Sequence, residues 1–432
     1  MNKTLISAFF LSLYVQGLSA YFYLTGLVGL RTTILTAIFQ AGSILLFLLY
    51  SMNIRECKEK IKTFKLIEVL FATFFVAVVL DITVAQKAYT IPADVLPKFL
   101  LYMLALFVAR CLTKAQFKGI FQITALLSIL TSIALSRDFL AGTAIAVNNA
   151  SRLAIGDSAN PIEAGNLGAF AASVSLLISL KAKDFPTKIL FLALMVPGGL
   201  VASLSGTRSA VLALAVGTVF LMGTTLIFKL KDLGSRLRQF SLSSLFYYGL
   251  LLLLLVASLS ISSPSPATAN STKTTDGFVL DRTLTRLMTI PFFGQADTSV
   301  NARFLYYDQA VTGFNQNPLM GGKVYSAGFV HNAFLQVLVE FGLFGVCTYI
   351  LPIAWLVWRF LAILGSSLKK SSSYFKTDDW TITAFMGIIM IQMLFVLMVH
   401  AEPYRSYFPP CAIGMAIAFS RLGLDRKSHS KT

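Results

Sequence analysis

The 432-residue sequence predicts an all-α integral membrane protein, with about twelve transmembrane helices and a long, partly helical outer loop between helices nine and ten. Three observations carry that prediction. The chain is 56% hydrophobic and only 13% charged, where a soluble domain is about a quarter charged. Its mean hydropathy is +0.74. Apolar runs recur along it at about the 20-residue length that crosses a bilayer core of about 30 Å. A soluble domain and a disordered chain are both excluded.

The first span is read at 5–22, after Lys3. Leu18-Ser19-Ala20 also fits a signal-peptide cleavage site, but removing this span would invert every later loop and break the charge pattern described below. Further spans follow at 32–50, 66–85, 95–111, 119–135, 164–180, 189–204, 210–228 and 242–261. Residues 262–330 are different in character. They open as a Ser/Thr/Pro linker over 262–275. Residues 301–314 then read as a helix, ended by Asn317-Pro318 and Gly321-Gly322. A long loop with structure of its own is usually functional. The last spans lie at 343–358, 382–399 and 407–419, before a basic tail. The chain thus divides into helices one to nine (1–261), the loop with its helical segments (262–342), and helices ten to twelve with the tail (343–432). No internal repeat is apparent.

The net charge of +17 is read by location. With the N-terminus in the cytoplasm, 24 of the 36 Lys and Arg residues fall on that side. Of the 12 outside, five lie in the long loop, where the positive-inside rule is weak. Both termini are therefore placed in the cytoplasm. The charge is mainly a topology signal, and no nucleic-acid partner is expected. Cys57, Cys111, Cys347 and Cys411 lack paired spacing, so neither a disulfide framework nor a zinc site is read. The loop's acids, Asp276, Asp281, Asp297 and Asp308, form no Asp-x-Asp pair, and no metal site is expected. There is no nucleotide loop, no Gly-x-Ser-x-Gly and no His-Glu-x-x-His.

Few residues remain to carry chemistry. His331 opens the run His331-Asn332-Ala333-Phe334-Leu335-Gln336, at the outer border before span ten. Histidine is the usual general base near neutral pH; the competing reading is an interfacial histidine satisfied by backbone or headgroups. Asn332 suits a helix cap. Arg208 sits at the outer junction of spans seven and eight. Arg303 shares a helical face with Tyr307. Arg152 and Arg405 lie in outer loops. Each arginine alone is readily a headgroup anchor, yet the guanidinium fork also matches diphosphate oxygens. Tyr306 and Tyr307 fit packing of that helix and a ligand contact equally well. Glu340, nine residues after His331, falls about half a turn away around a helix and reads as a structural hydrogen-bonding group.

Together these residues resemble the O-antigen ligase and polymerase superfamily. The likeness rests on Leu204-Ser205-Gly206-Thr207-Arg208-Ser209-Ala210, on Asn301-Ala302-Arg303 through Asn317-Pro318-Leu319, and on His331-Asn332 through Glu340-Phe341-Gly342. Arg152 followed by Asn160-Pro161 is a weaker fourth match. The resemblance implies a membrane-embedded glycosyltransferase of the bacterial inner membrane, with its long loop and active site facing the periplasm. It further implies a glycan donor linked to undecaprenyl diphosphate, no cofactor, no metal, and inversion. The implied acceptor is a lipid A-core hydroxyl in a ligase, or another lipid-linked repeat unit in a polymerase. Membrane lipid is the remaining partner. By the same resemblance His331, Arg303 and Arg208 are catalytic, while Arg152, Arg405, Tyr306, Tyr307 and Asn332 bind diphosphate or glycan. A polysaccharide or lipid transporter is the rival from another class. Transporters place ionisable groups near the bilayer midplane, and here Glu68 and Asp81 are the main charges within a span.

Overall fold

The computed structural model describes residues 65–85, 95–140, 144–147, 152–155, 161–205, 207–233, 298–322, 330–370, 372–399 and 408–428, with isolated residues before 60. Three expected spans, 5–22, 32–50 and 242–261, lie outside these described residues apart from single positions. The other nine coincide with helices. In chain order these are α1 (Leu66–Leu80, continued by a π-turn Asp81–Ala85), α2 (Val95–Ala109), α3 (Lys114–Leu140), α4 (Pro161–Lys181), α5 (Phe185–Leu204) and α6 (Arg208–Leu233). Then come α7 (Thr298–Gln316), α8 (Ala333–Gly345, continued by a π-turn Val346–Ile350), α9 (Leu351–Leu368), α10 (Asp378–Val399) and α11 (Phe408–Ser428). Among the described residues seven helical stretches are long and apolar enough to cross a membrane, and Phe99–Ala109 and Phe408–Leu422 are shorter apolar helices. The expected outer helix at 301–314 is α7, which starts three residues earlier and ends two later. One feature was not expected: an antiparallel hairpin of β1 (Ala144–Val147) and β2 (Arg152–Ile155), lying against α3 and α4.

The helices pack by close approach of small residues, as lipid-embedded helices must when apolar burial alone does not favour helix over lipid. α4 and α5 touch backbone to backbone. A Cβ at Gly168 would lie 2.6 Å from the Gly198 carbonyl oxygen, and one at Gly198 would lie 2.6 Å from that of Gly168. Asp184 caps α5 by accepting from the Thr187 amide at 2.9 Å. Hydrogen bonding from Thr187 holds its carboxyl below the usual range. A second contact is aromatic. Phe74 of α1 meets Tyr349 at 4.7 Å and Phe341 at 5.1 Å between centroids, which seats α8 on α1.

The basic residues that the charge count puts on one side gather at one end of the bundle. Lys114 pairs with Asp379 at 2.6 Å and Lys118 with Asp378 at 2.8 Å. Lys181 donates to the Thr377 carbonyl at 2.9 Å. Lys231, near the end of α6, reaches the carbonyls of Leu368 and Lys370. Among three other helices, Glu68 near the start of α1 is 0% exposed and is gripped by Arg110, just past α2, at 3.0 Å, and by Arg421 of α11. Its second oxygen accepts from the Lys65 amide at 2.7 Å and closes the first turn of α1. Glu68 is therefore a helix-end anchor, and not an ionisable group on a midplane path. Arg110 and Arg421, two of the 24 basic residues counted on the cytoplasmic side, are buried structural partners.

Candidate functional site

The end away from these lysines carries the predicted site. His331 precedes α8 and is the one non-glycine residue with positive φ among those described, at 59°. That left-handed backbone is uncommon for a side chain with a Cβ, although histidine tolerates it better than most. It persists when neighbouring structure over-determines it, and here the neighbours on both sides are fixed. On the C-terminal side Asn332 is extended, and its Oδ1 accepts from the amides of Phe334 at 3.0 Å and Leu335 at 3.1 Å. Two of the orphan donors at the start of α8 are thereby satisfied. On the N-terminal side the buried Val330 amide donates to Gln336 Oε1 at 2.9 Å. Gln336 Nε2 in turn donates to Glu340 Oε1. Both side chains are 1% exposed. Glu340 is thus a structural acceptor one turn beyond Gln336, as its angular offset from His331 implied.

α7 is bound to this unit. Tyr306, Tyr307 and Leu335 pack, half-buried, against Ala310, Val330 and Val339. The Tyr306 ring lies 6.3 Å from that of His331, tilted by 47°. Gly313 lets α7 approach α8, since a Cβ there would sit 2.7 Å from Val339 Cγ2. Arg303 is one turn before Tyr306 and Tyr307 on the same helix.

The turn after α7 is locked into a break in α8. Gly342 has φ 54° and ψ −144°, so the helical hydrogen bonding is interrupted there. The backbone groups released by the break find partners in the turn. Leu343 N–H donates to the Pro318 carbonyl at 2.8 Å, Phe344 N–H to that of Leu319 at 3.0 Å, and Gly322 N–H to that of Val339 at 2.8 Å. Such complete pairing is what a buried break requires. Both glycines are needed for the approach. A Cβ at Gly342 would lie 2.5 Å from Pro318 O, and one at Gly321 (φ 72°) would overlap the Phe341 amide. The Asn-Pro-Leu and His-Asn segments are therefore one interlocked structure.

Arg208 is the first residue of α6. The turn before it abuts α4: a Cβ at Gly165 would lie 3.1 Å from Cβ of both Thr207 and Ala210. Arg152 opens β2, opposite Val147. The side chains of Arg152, Arg208 and Arg303, and the whole of Arg405, lie outside the described residues. The structure thus brings His331, Asn332, Tyr306 and Tyr307 together, and fixes the backbone positions of three of the arginines. Among the described residues no group of three His, Cys, Asp or Glu side chains converges as a metal site. Sequence reasoning quoted Gln336, Gly321 and Gly342 without a role in the site. A glycine inside an otherwise strong helical run was the available signal for the break.

Residues 189–350 match a family model described as O-antigen ligase. That stretch runs from within α5 to the end of the π-turn after α8, and it contains Arg208, Arg303 and His331. A search of curated proteins finds no match.

Proposed function

Through residues 189–350 this chain belongs to the O-antigen ligase and polymerase superfamily, and on that premise we propose that it is a ligase-type glycosyltransferase of the bacterial inner membrane. It transfers a glycan from undecaprenyl diphosphate to a lipid A-core hydroxyl on the periplasmic face. One observation carries the reading: the family match covers all three residues assigned to chemistry, and it ends just beyond the interlocked α7–α8 unit.

In the proposed reaction His331 takes the proton of the acceptor hydroxyl as its oxygen attacks the anomeric carbon. The new C–O bond forms as the anomeric carbon–phosphate oxygen bond breaks, with inversion. Undecaprenyl diphosphate departs with the electron pair. Arg208 and Arg303 bind the diphosphate and stabilise the charge that grows on it, a role that fixed cations fill best where water is scarce. Arg152 and Arg405 complete the cationic pocket. Tyr306 and Tyr307 contact a sugar face, and the Asn332 amide nitrogen donates to a hydroxyl. The arginines do the work that a divalent ion does elsewhere, so transfer is expected to persist in chelator.

A polymerase that joins lipid-linked repeat units shares the same motifs and is the second reading. Complementation separates the two. Restoration of polymer on lipid A-core in a ligase-deficient strain supports the ligase. Restoration of long chains from single repeats in a polymerase-deficient strain, with no transfer to core, overturns it. Of the two charges within a span that a transporter would use, Glu68 is held by Arg110 and Arg421 at the start of α1. Purified protein that converts a lipid-linked glycan in detergent excludes pure transport.

A further inference from the structure

We propose that Gln336 and Glu340 are positioning residues for His331, acting through the backbone of Val330. The inference rests on the general-base reading of His331. The imidazole is presented by a left-handed residue, φ 59°. A peptide in that conformation relaxes unless its neighbours are held. The Asn332 cap holds one neighbour. The other, Val330, is held by Gln336 Oε1 on its amide, at 2.9 Å.

A glutamine alone in a helix has several rotamers and two interchangeable ends. Glu340 selects one of them. A carboxylate accepts hydrogen bonds and does not donate them, so it takes the Gln336 amide N–H₂ and leaves Gln336 Oε1 facing the Val330 N–H. The four-residue spacing places the two side chains one above the other on α8. The pair is buried, at 1% exposure each, so water does not readily substitute for either bond. The direction of the chain, from amide N–H to glutamine oxygen and from glutamine nitrogen to carboxylate, is therefore set by which residue is the acid.

The test exploits that direction, with kcat and KM measured per folded molecule on a lipid-linked glycan donor in detergent. Gln336→Leu removes both bonds and is expected to lower kcat by on the order of 10- to 100-fold with donor KM unchanged, the scale of a misplaced catalytic group. Gln336→Glu alone faces two carboxylates and is expected to be as impaired. Combining Gln336→Glu with Glu340→Gln restores an acceptor for Val330 and a donor to it, with the acid and amide exchanged. That double variant is expected to recover kcat to within a few-fold of wild type. A merely structural pair would lower the folded fraction and leave kcat per folded molecule intact, and that result overturns the proposal. So does a double variant no better than Gln336→Glu alone. If Gln336→Leu does not fold, the double variant and Gln336→Glu still decide the matter. Loss of activity in His331→Ala with full kcat in Gln336→Leu removes only the positioning role. Full activity in His331→Ala removes the general-base reading with it.

Discussion

Two buried glutamates, one in α1 and one in α8, show two kinds of contact. Glu68 is 0% exposed and is held by two guanidinium groups, from Arg110 and Arg421. Glu340 is 1% exposed and accepts from the neutral amide of Gln336. The first contact joins α1 to Arg110, just past α2, and to Arg421 within α11, the latter 353 positions away. The second spans a single turn. Ion pairing is used where distant helices must be held together. Short hydrogen-bonded relays and close glycine contacts are used where the backbone beside His331 must be shaped. Charge removal at the basic end is therefore expected to cost stability, and small changes around α8 to cost turnover.

The largest effect should come from the site itself. His331→Ala, Arg303→Ala and Arg208→Ala are each expected to lower transfer by on the order of 10²- to 10⁴-fold. The extractable protein and its melting temperature should stay near wild type. Melting far below wild type in all three would make the outer cations structural and erase the contrast. Next is Glu68→Ala, which strands two buried guanidiniums and should destabilise by about 3–5 kcal/mol. Yield and melting temperature should fall, while kcat per folded molecule holds. A normal melting curve would mean that the anchor is not needed.

Gly342→Ala tests the boundary between the two behaviours. Its left-handed φ and the 2.5 Å approach to Pro318 O should cost about 1–3 kcal/mol, and turnover should drop as the turn at 318–322 undocks from α8. Unchanged stability and turnover together would contradict the interlock. The smallest effect belongs to Lys118→Ala. Its pair with Asp378 is half-exposed on both sides, so a loss within about 1 kcal/mol is expected, read by thermal melting.

The spans that fall on described residues were legible because composition alone marks them: runs such as 382–399 admit few other readings. The outer helix was legible from its own punctuation, with Asn317-Pro318 stopping it where the structure stops it. Asn332 was legible as a cap because capping is local chemistry. The hairpin at 144–155 was not, since four-residue runs such as Ala144-Ile145-Ala146-Val147 carry no distinguishing period. The Glu68 anchor was invisible because its partners come from distant helices. His331 and Gly342 were legible as a motif, but their positive φ values were not. Those arise from tertiary docking of the 318–322 turn and from the Val330–Gln336 contact, which no local propensity encodes.

In the proposed reaction His331 accepts the proton in glycan transfer to a hydroxyl. The most direct measurement uses purified protein in nanodiscs supplied with a lipid-linked glycan and lipid A-core. The rate of product formation is compared between wild type and His331→Ala at equal folded amounts. Steady transfer by wild type is expected, in chelator as well, with a fall of at least about 100-fold in the variant. Transfer at the wild-type rate by His331→Ala would contradict that role.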